Sequence, residues 1–288
     1  MSVGYQESDG HIIDYEVCQL PGVNGVFRGP PITGNEYVAC VGAAQTFGRF
    51  VLTPFPRLIS HALGIDALNL GRGGVGPTFH VSNPRLLEYI NRARTVIVQV
   101  LSGRSQSNSL FRIVSHNMYG TSLPHGREMS AYEFYTWLIG QDAQLARKVI
   151  AETRDNYVLA MTQLLDAIKP PKILFWFSVR SPDYEEHLEL PIDRLWGAFP
   201  HFVNRAMVEQ LRSHADTYVE CISRRGLPQP IFDRSGNPTS FKGFSPSPSQ
   251  VVMKTENWYY PSPEMHEDAA ALLIPACREL CNPTIGMR

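Results

Sequence analysis

His266, in the stretch Tyr259-Tyr260-Pro261-Ser262-Pro263-Glu264-Met265-His266, stands at the start of an apolar helical pattern with Glu264 and Glu267 beside it. An imidazole beside a carboxylate is the usual makeup of a general base, because the carboxylate fixes the tautomer and stabilises the imidazolium. Three other stretches would supply donors. Gly42-Ala43-Ala44-Gln45-Thr46-Phe47-Gly48 offers Gln45, Thr46 and backbone N–H groups. Asn69-Leu70-Gly71-Arg72-Gly73-Gly74-Val75-Gly76 is a loop whose glycines, Gly71, Gly73 and Gly74 among them, let backbone approach a ligand and form an anion nest. Ser102-Gly103-Arg104-Ser105-Gln106-Ser107-Asn108 adds Ser102, Arg104, Ser105 and Asn108. Tyr260 joins them from the last loop, Arg180 (in Arg180-Ser181-Pro182-Asp183-Tyr184) could clamp an anion, and Arg49 is a further cation.

A nucleophile is missing where one would be expected, since the apex of the first turn is Ala43-Ala44. A base and an anion hole without a nucleophile point to direct transfer. His266 would deprotonate an acceptor hydroxyl, or water, which attacks an acyl, sulfuryl or phosphoryl donor held over the glycine loop, with Arg104 and Asn69 facing the developing charge. Thr46, Ser102 and Ser105 are the hydroxyls a recruited nucleophile would use. Each group has a competing structural role: a helix-start hydrogen bond for His266, a helix cap for Gln45 or Thr46, a plain strand-to-helix turn for the glycines, and pairing with Asp183 or Glu185 for Arg104 and Arg180.

Short apolar runs alternating with helical patterns must carry these groups. Strand-like segments fall at 37–42, 66–70, 95–101, 172–178 and 217–222, with helices at 47–63, 83–93, 130–168 (broken near Gly140), 193–214 (broken near Pro200) and 264–281. That alternation predicts parallel βαβ units, and hence a three-layer α/β/α sandwich on a five-stranded parallel sheet, flavodoxin-like, with the four stretches at its carboxyl edge. Residues 1–36, with Gly29-Pro30-Pro31, read as an irregular lead-in, and 37–288 as one domain with a long loop at about 224–257. Trp196, Phe199 and Phe202 form an inward face beside which His201 and Asn204 could line a cleft.

With 26 Lys plus Arg against 27 Asp plus Glu in 288 residues, no broad footprint for nucleic acid or anionic membrane exists. No apolar run reaches the ~20 residues of a spanning helix, and the start of the chain lacks an apolar leader, so a cytoplasmic protein is expected. The five cysteines (Cys18, Cys40, Cys221, Cys277, Cys281) show no paired spacing and read as small buried hydrophobes. The other histidines, His116 among them, show no metal-binding spacing, and no cofactor is required.

In their order and spacing the blocks resemble those of the SGNH, or GDSL-type, hydrolase superfamily. Gly42 to Gly48 lines up with its Gly-Asp-Ser-x-Thr-x-Gly block, keeping both glycines and the threonine while the serine falls on Ala44. Gly73 or Gly74 matches the second-block glycine, Gly103 the third-block glycine, and His266 the last-block histidine, with Glu264 in place of a shifted acid. The resemblance implies an SGNH-like fold without the serine nucleophile. A fainter likeness, Gly42-x-x-Gln45, is to a coenzyme A-binding family of capsular polysaccharide synthesis. The chain also looks like a bacterial family of unknown function that shares the turn and the Tyr-Tyr-Pro-Ser-Pro-Glu-Met-His ending. Together these imply transfer from a donor such as a coenzyme A thioester or phosphoadenosine phosphosulfate to a small polar or carbohydrate acceptor. The alternatives are an esterase-like hydrolase, using a recruited nucleophile or direct water attack, and a non-catalytic binding protein.

Overall fold

Val38, Ala39, Cys40 and Val41 are each fully shielded from solvent, as a strand covered on both faces must be. The computed structural model describes residues 5–113, 119–197, 199–243 and 252–281. Five strands, β1 (Tyr37–Gly42), β2 (Asp66–Gly71), β3 (Thr95–Gln99), β4 (Lys172–Ser178) and β5 (Thr217–Ile222), form an all-parallel sheet in the order β2-β1-β3-β4-β5. The expected α/β/α layering is therefore present. Alternate residues serve opposite faces. Ala39, Val41, Val98, Leu174 and Trp176 meet Leu86, Ile90, Leu164 and Leu211 on one side, and Val38, Cys40, Ile97, Phe175 and Phe177 meet Ile59, Met265, Leu273 and Cys277 on the other. Four of the five free cysteines are buried in that second layer, at Cys40, Cys221, Cys277 and Cys281.

Several elements differ from the sequence reading, among them the helix Pro77–Val81, which the sequence did not suggest, and the expected helix 193–214, which is Ile192–Leu195 and Arg205–Arg212. The expected helix 47–63 is two helices, Ala44–Phe47 and Phe55–Leu63. Gly48 ends the first in the left-handed region at φ 76°, and Pro54, without an N–H to continue a helix, starts the second. Between β3 and the long helices a three-stranded antiparallel sheet, Phe111–Ile113, Tyr119–Ser122 and Arg127–Ser130, is inserted. It packs Phe111 and Met129 on Phe134, Tyr135 and Phe202, giving the molecule a third core. The 224–257 segment contains short strands at Gln229–Pro230, Phe241–Gly243, Val252–Lys254 and Glu256–Asn257, while its part at 244–251 lies outside the described residues, as does His116.

Other boundaries follow the punctuation. Ser130 and Glu133 form a reciprocal cap at Ala131–Gln141. Asp142 then caps Ala143–Ala167, so the break falls two residues beyond Gly140. The lead-in is fastened by a buried ion pair: Arg49 Nε and Nη2 donate to Asp9 Oδ2 and Oδ1 at 2.6 and 3.0 Å, and Arg49 Nη1 donates to the Tyr260 hydroxyl at 3.0 Å. Arg49 and Tyr260 thus join core to lead-in.

Candidate functional site

The first turn is locked from within. Gln99, at the end of β3, accepts at Oε1 from the Thr46 hydroxyl (2.7 Å) and the Ala43 N–H (3.0 Å), where the strand order reverses and open sheets form their crevice. Its Nε2 donates to Gln45 Oε1 at 3.3 Å, and Gln45 Nε2 donates to the Tyr259 hydroxyl at 3.4 Å. A Cβ on Gly42 would run into the Thr46 hydroxyl, which is why this turn opens with glycine. Thr46 is neither a cap nor an exposed nucleophile; it is a buried helix residue on Gln99.

His266 is a core residue. It has no solvent exposure, its ring stacks on Phe55 and meets Phe177 edge-on, and its Nδ1 accepts from the Phe55 N–H at 3.0 Å. With Nδ1 accepting, the ring proton sits on Nε2, which is buried without a partner. Burial, helped by the Arg28 charge, pushes the imidazole down to about 3. Neither neighbouring acid orients it. Glu264 accepts through its backbone carbonyl from Arg225, and Glu267 is paired with Arg225 at 3.0 Å. The expected Glu264–His266 base is not assembled: the helix turns His266 inward and both acids outward.

The glycine loop and its neighbours also hold the fold. Asn69 donates to the Thr46 carbonyl at 3.0 Å and accepts from the Gly71 N–H at 2.9 Å. A Cβ at Gly71 would strike the Phe47 backbone, and one at Gly76 the Ser105 side chain. Gly73 and Gly74 make the turn between, Gly74 at φ 74°. Asn108 donates to Tyr135 and Thr153 at 3.0 and 2.9 Å and accepts from the Leu110 and Phe111 N–H groups, so it anchors the antiparallel insert.

Beyond β3 the pattern changes. Ser102, Gly103 and Arg104 grip three successive carbonyls: Arg104 Nη1 donates to Phe199 O (3.2 Å), the Ser102 hydroxyl to Pro200 O (3.1 Å), and the Gly103 N–H to His201 O (2.8 Å). Glycine fits Gly103 best, because a Cβ there would lie 3.1 Å from both the His201 carbonyl and the Phe202 Cβ, which would have to give by a few tenths of an ångström. The next residue, Phe202, is a fully buried aromatic at φ 63°, a conformation that costs a bulky side chain about 1–3 kcal/mol and persists only where surroundings impose it. Arg154 Nε donates to the Phe202 carbonyl at 2.9 Å and holds the kink.

This grip presents His201. Its Nδ1 is buried without a partner, and Nε2 has no bond to any described residue. The residue lines a cavity of about 270 Å³ at the carboxyl end of β4, with Trp176, Ser178, Arg180, Tyr184, Trp196 and Val203 among the other walls. Trp176 meets the imidazole edge-on at 5.1 Å. Burial, then the charges of Arg104 and Arg180, push His201 down to about 3, so it is neutral at physiological pH. Arg104 is itself buried, and burial lowers it against a hydrogen bond to the Tyr259 phenol. Gln45, Tyr259, Arg104, His201 and Arg180 thus form one polar strip along the sheet edge. Sequence reasoning ranked Arg104 and Ser102 as ligand groups, whereas they position a histidine it had placed only beside a cleft. The Pro200-His201 break between two aromatic residues was the available signal.

The fold and the site define the class: a doubly wound α/β protein with its polar strip at the carboxyl edge of the strands. The chain belongs to the family described as a domain of unknown function (DUF6473), whose model matches residues 1–117 and 135–281. Among solved structures it is similar to a carbohydrate esterase family 2 enzyme with a carbohydrate-binding domain from Corynascus thermopiles (Myceliophthora fergusii), at 11% identity and TM-score 0.41, over 91% of this chain and 70% of that one. It is also similar to an alpha/beta hydrolase enzyme from the metagenome of Lake Arreo, Spain, at 11% identity and TM-score 0.43, covering 86% and 97%. A third similar chain, a family two carbohydrate esterase from Clostridium thermocellum in complex with cellohexaose, has 12% identity and TM-score 0.37, covering 88% and 66%. Likeness at this level carries no activity across. No curated protein matches the chain. Among the described residues no helix is long and apolar enough to cross a membrane.

Proposed function

We propose that the protein is an esterase-like hydrolase working by direct attack of water, with His201 rather than His266 as its base. The observation that carries this reading is a neutral His201 lining a cavity together with Arg180, with the charges of Arg104 and Arg180 acting on its ring. The imidazole takes a proton from water as the water oxygen bonds to the ester carbonyl carbon, and the carbonyl electron pair moves onto its oxygen. When the pair returns, the carbon–oxygen bond to the alcohol breaks and the imidazolium gives its proton to the departing alkoxide. Ester and water become acid and alcohol, and His201 ends neutral. The guanidinium charges that hold the ring neutral also favour the oxyanion.

No covalent intermediate is required, in keeping with Ala44 at the turn and with hydroxyls that are tied elsewhere, Thr46 to Gln99 and Ser102 to Pro200. Hydrolysis needs no activated donor, so coenzyme A thioesters and phosphoadenosine phosphosulfate serve as comparison ligands. The substrates to try first are 4-nitrophenyl acetate and acetylated monosaccharides. Release of acetate by the wild-type protein, lost in His201→Gln and kept in Thr46→Ala, is the expected result. An inactive wild type, or an active His201→Gln, would overturn the reading.

A further inference from the structure

The cavity beside His201 has a charge pattern that hydrolysis of a neutral ester would not need. Arg180 lines it and donates Nη1 to the Leu195 carbonyl (3.0 Å) and Nη2 to the Asp193 carbonyl (2.7 Å). A guanidinium has five N–H donors. Three of Arg180's therefore remain without a partner among the described residues. Among the described residues, Arg194, which lines the same cavity, and Arg224, whose charge acts on Arg180, make no ion pair. The contrast with nearby arginines is sharp. Arg154 sits on Glu186, Arg205 on Asp183 and Glu220, and Arg225 on Glu267 and Asp268. Of the acids nearby, Asp183 is held by Arg205 at 2.6 Å, Glu185 is an exposed carboxylate beside His187 at 3.2 Å, and the Asp193 charge acts on Arg180 against that of Arg224.

Apart from the hydroxyls of Ser178, Ser181 and Tyr184, the remaining walls are carbon. Trp176 Nε1 already donates to the Arg180 carbonyl at 2.9 Å and Trp196 Nε1 to Glu186 at 3.2 Å, so both indoles offer the cavity faces and edges without a free N–H. Leu190, Leu195 and Val203 complete the apolar part. A volume of about 270 Å³ admits one ring with a small substituent.

We infer that this cavity is a subsite for an anionic group carried on a ring, clamped by Arg180 with Arg194 on its wall and the charge of Arg224 near by, and that the protein acts on esters whose ring bears a separate anionic group. The substrate class rests on the hydrolase reading; the anion subsite does not. Occupation by an anion would offset the guanidinium charge on His201 and raise its basicity when substrate is present.

Binding is measured by calorimetry with phenyl phosphate, phenyl sulfate and benzoate as probes, and with benzyl alcohol as the uncharged counterpart. The three anions compete for one site, and ranking them names the headgroup. At least one anion is expected to bind roughly ten- to a hundredfold more tightly than benzyl alcohol, with affinity falling as salt rises. Arg180→Gln should remove most of that preference, and Arg180→Lys should restore part of it. Because Arg180 also ties down two carbonyls, the exposed pair Arg194→Gln/Arg224→Gln is a second variant and should weaken the anion about threefold to tenfold. Equal affinity for phenyl phosphate, phenyl sulfate, benzoate and benzyl alcohol, no binding of any of them, or no loss in a folded Arg180→Gln would overturn the subsite. Anion binding that survives His201→Gln in a protein without esterase activity would leave the subsite standing and remove the hydrolase reading.

Discussion

Two histidines, His266 fully buried and His201 half-buried, divide the logic of this molecule. His266 occupies the place in the chain where a catalytic base is expected, and the fold wraps it in Phe55 and Phe177 with Nδ1 on a backbone N–H. His201 follows a proline in an irregular segment, and the fold holds its segment by three carbonyl contacts while the residue lines a cavity. Both are held neutral by burial first, yet only one lies beside space a substrate could fill. Protonation state alone does not separate a base from a core residue; access does.

The sharpest way to break this contrast is to exchange the consequences of mutation. His201→Gln should lower ester turnover by about 10²- to 10⁴-fold, the range lost with a general base, while the melting temperature moves little. His266→Ala should do the reverse. Removing a fully buried ring should cost about 2–4 kcal/mol of stability, seen in urea unfolding, with turnover below the transition within about threefold of wild type. A His266→Ala protein that folds but has no activity would return the base to the helix.

Acid should act on stability through both residues, together with His80, a fully buried imidazole pushed down to about 3 by burial and by Arg72. Their native pKa values lie below the unfolded value of about 6.5, so the unfolded state binds more protons between those limits. Stability is complete above about pH 6.5 and falls toward pH 3, by up to about 1.4 kcal/mol per pH unit for each histidine. Urea midpoints between pH 7 and 4 would check this, and His80→Phe, where the ring is accommodated, should flatten the slope by one proton. The smallest effect is expected from Gly103→Ala. Its Cβ would press the His201 carbonyl and Phe202 by a few tenths of an ångström, giving a roughly tenfold loss in kcat/KM, about 1.4 kcal/mol, with KM nearly unchanged.

The layering of the fold was legible because β1, β3 and β4 are buried on both faces and read as unbroken apolar runs between helical patterns. The antiparallel insert was not, since Tyr119–Ser122 and Arg127–Ser130 are short and half-polar and find their hydrophobic partners outside their own strands, in the helix that follows. At the site, residue types pointed to the carboxyl rim of the sheet, where the structure ties most of them into the fold. Asn69, Asn108 and Thr46 are polar enough to bind ligand, but their donors and acceptors are taken by nearby backbone or by Gln99, Tyr135 and Thr153. Which hydrogen bonds close inside the protein depends on distances between strand ends, and a linear sequence carries those only through topology. Family motifs misled at His266 for the same reason: the helix register was as expected, while the packing of Phe55 over the ring was not visible.

The segment carrying His201 is fixed through the carbonyls of Phe199, Pro200 and His201, groups that every amino acid possesses. The holding side chains, Ser102 and Arg104, and the close approach at Gly103 are specific; what they hold is generic. An evolving lineage could therefore exchange the reagent at position 201 for another side chain and keep the same backbone seat. Chemical novelty at this edge of the sheet would then demand substitutions in the held strip and none in its holder.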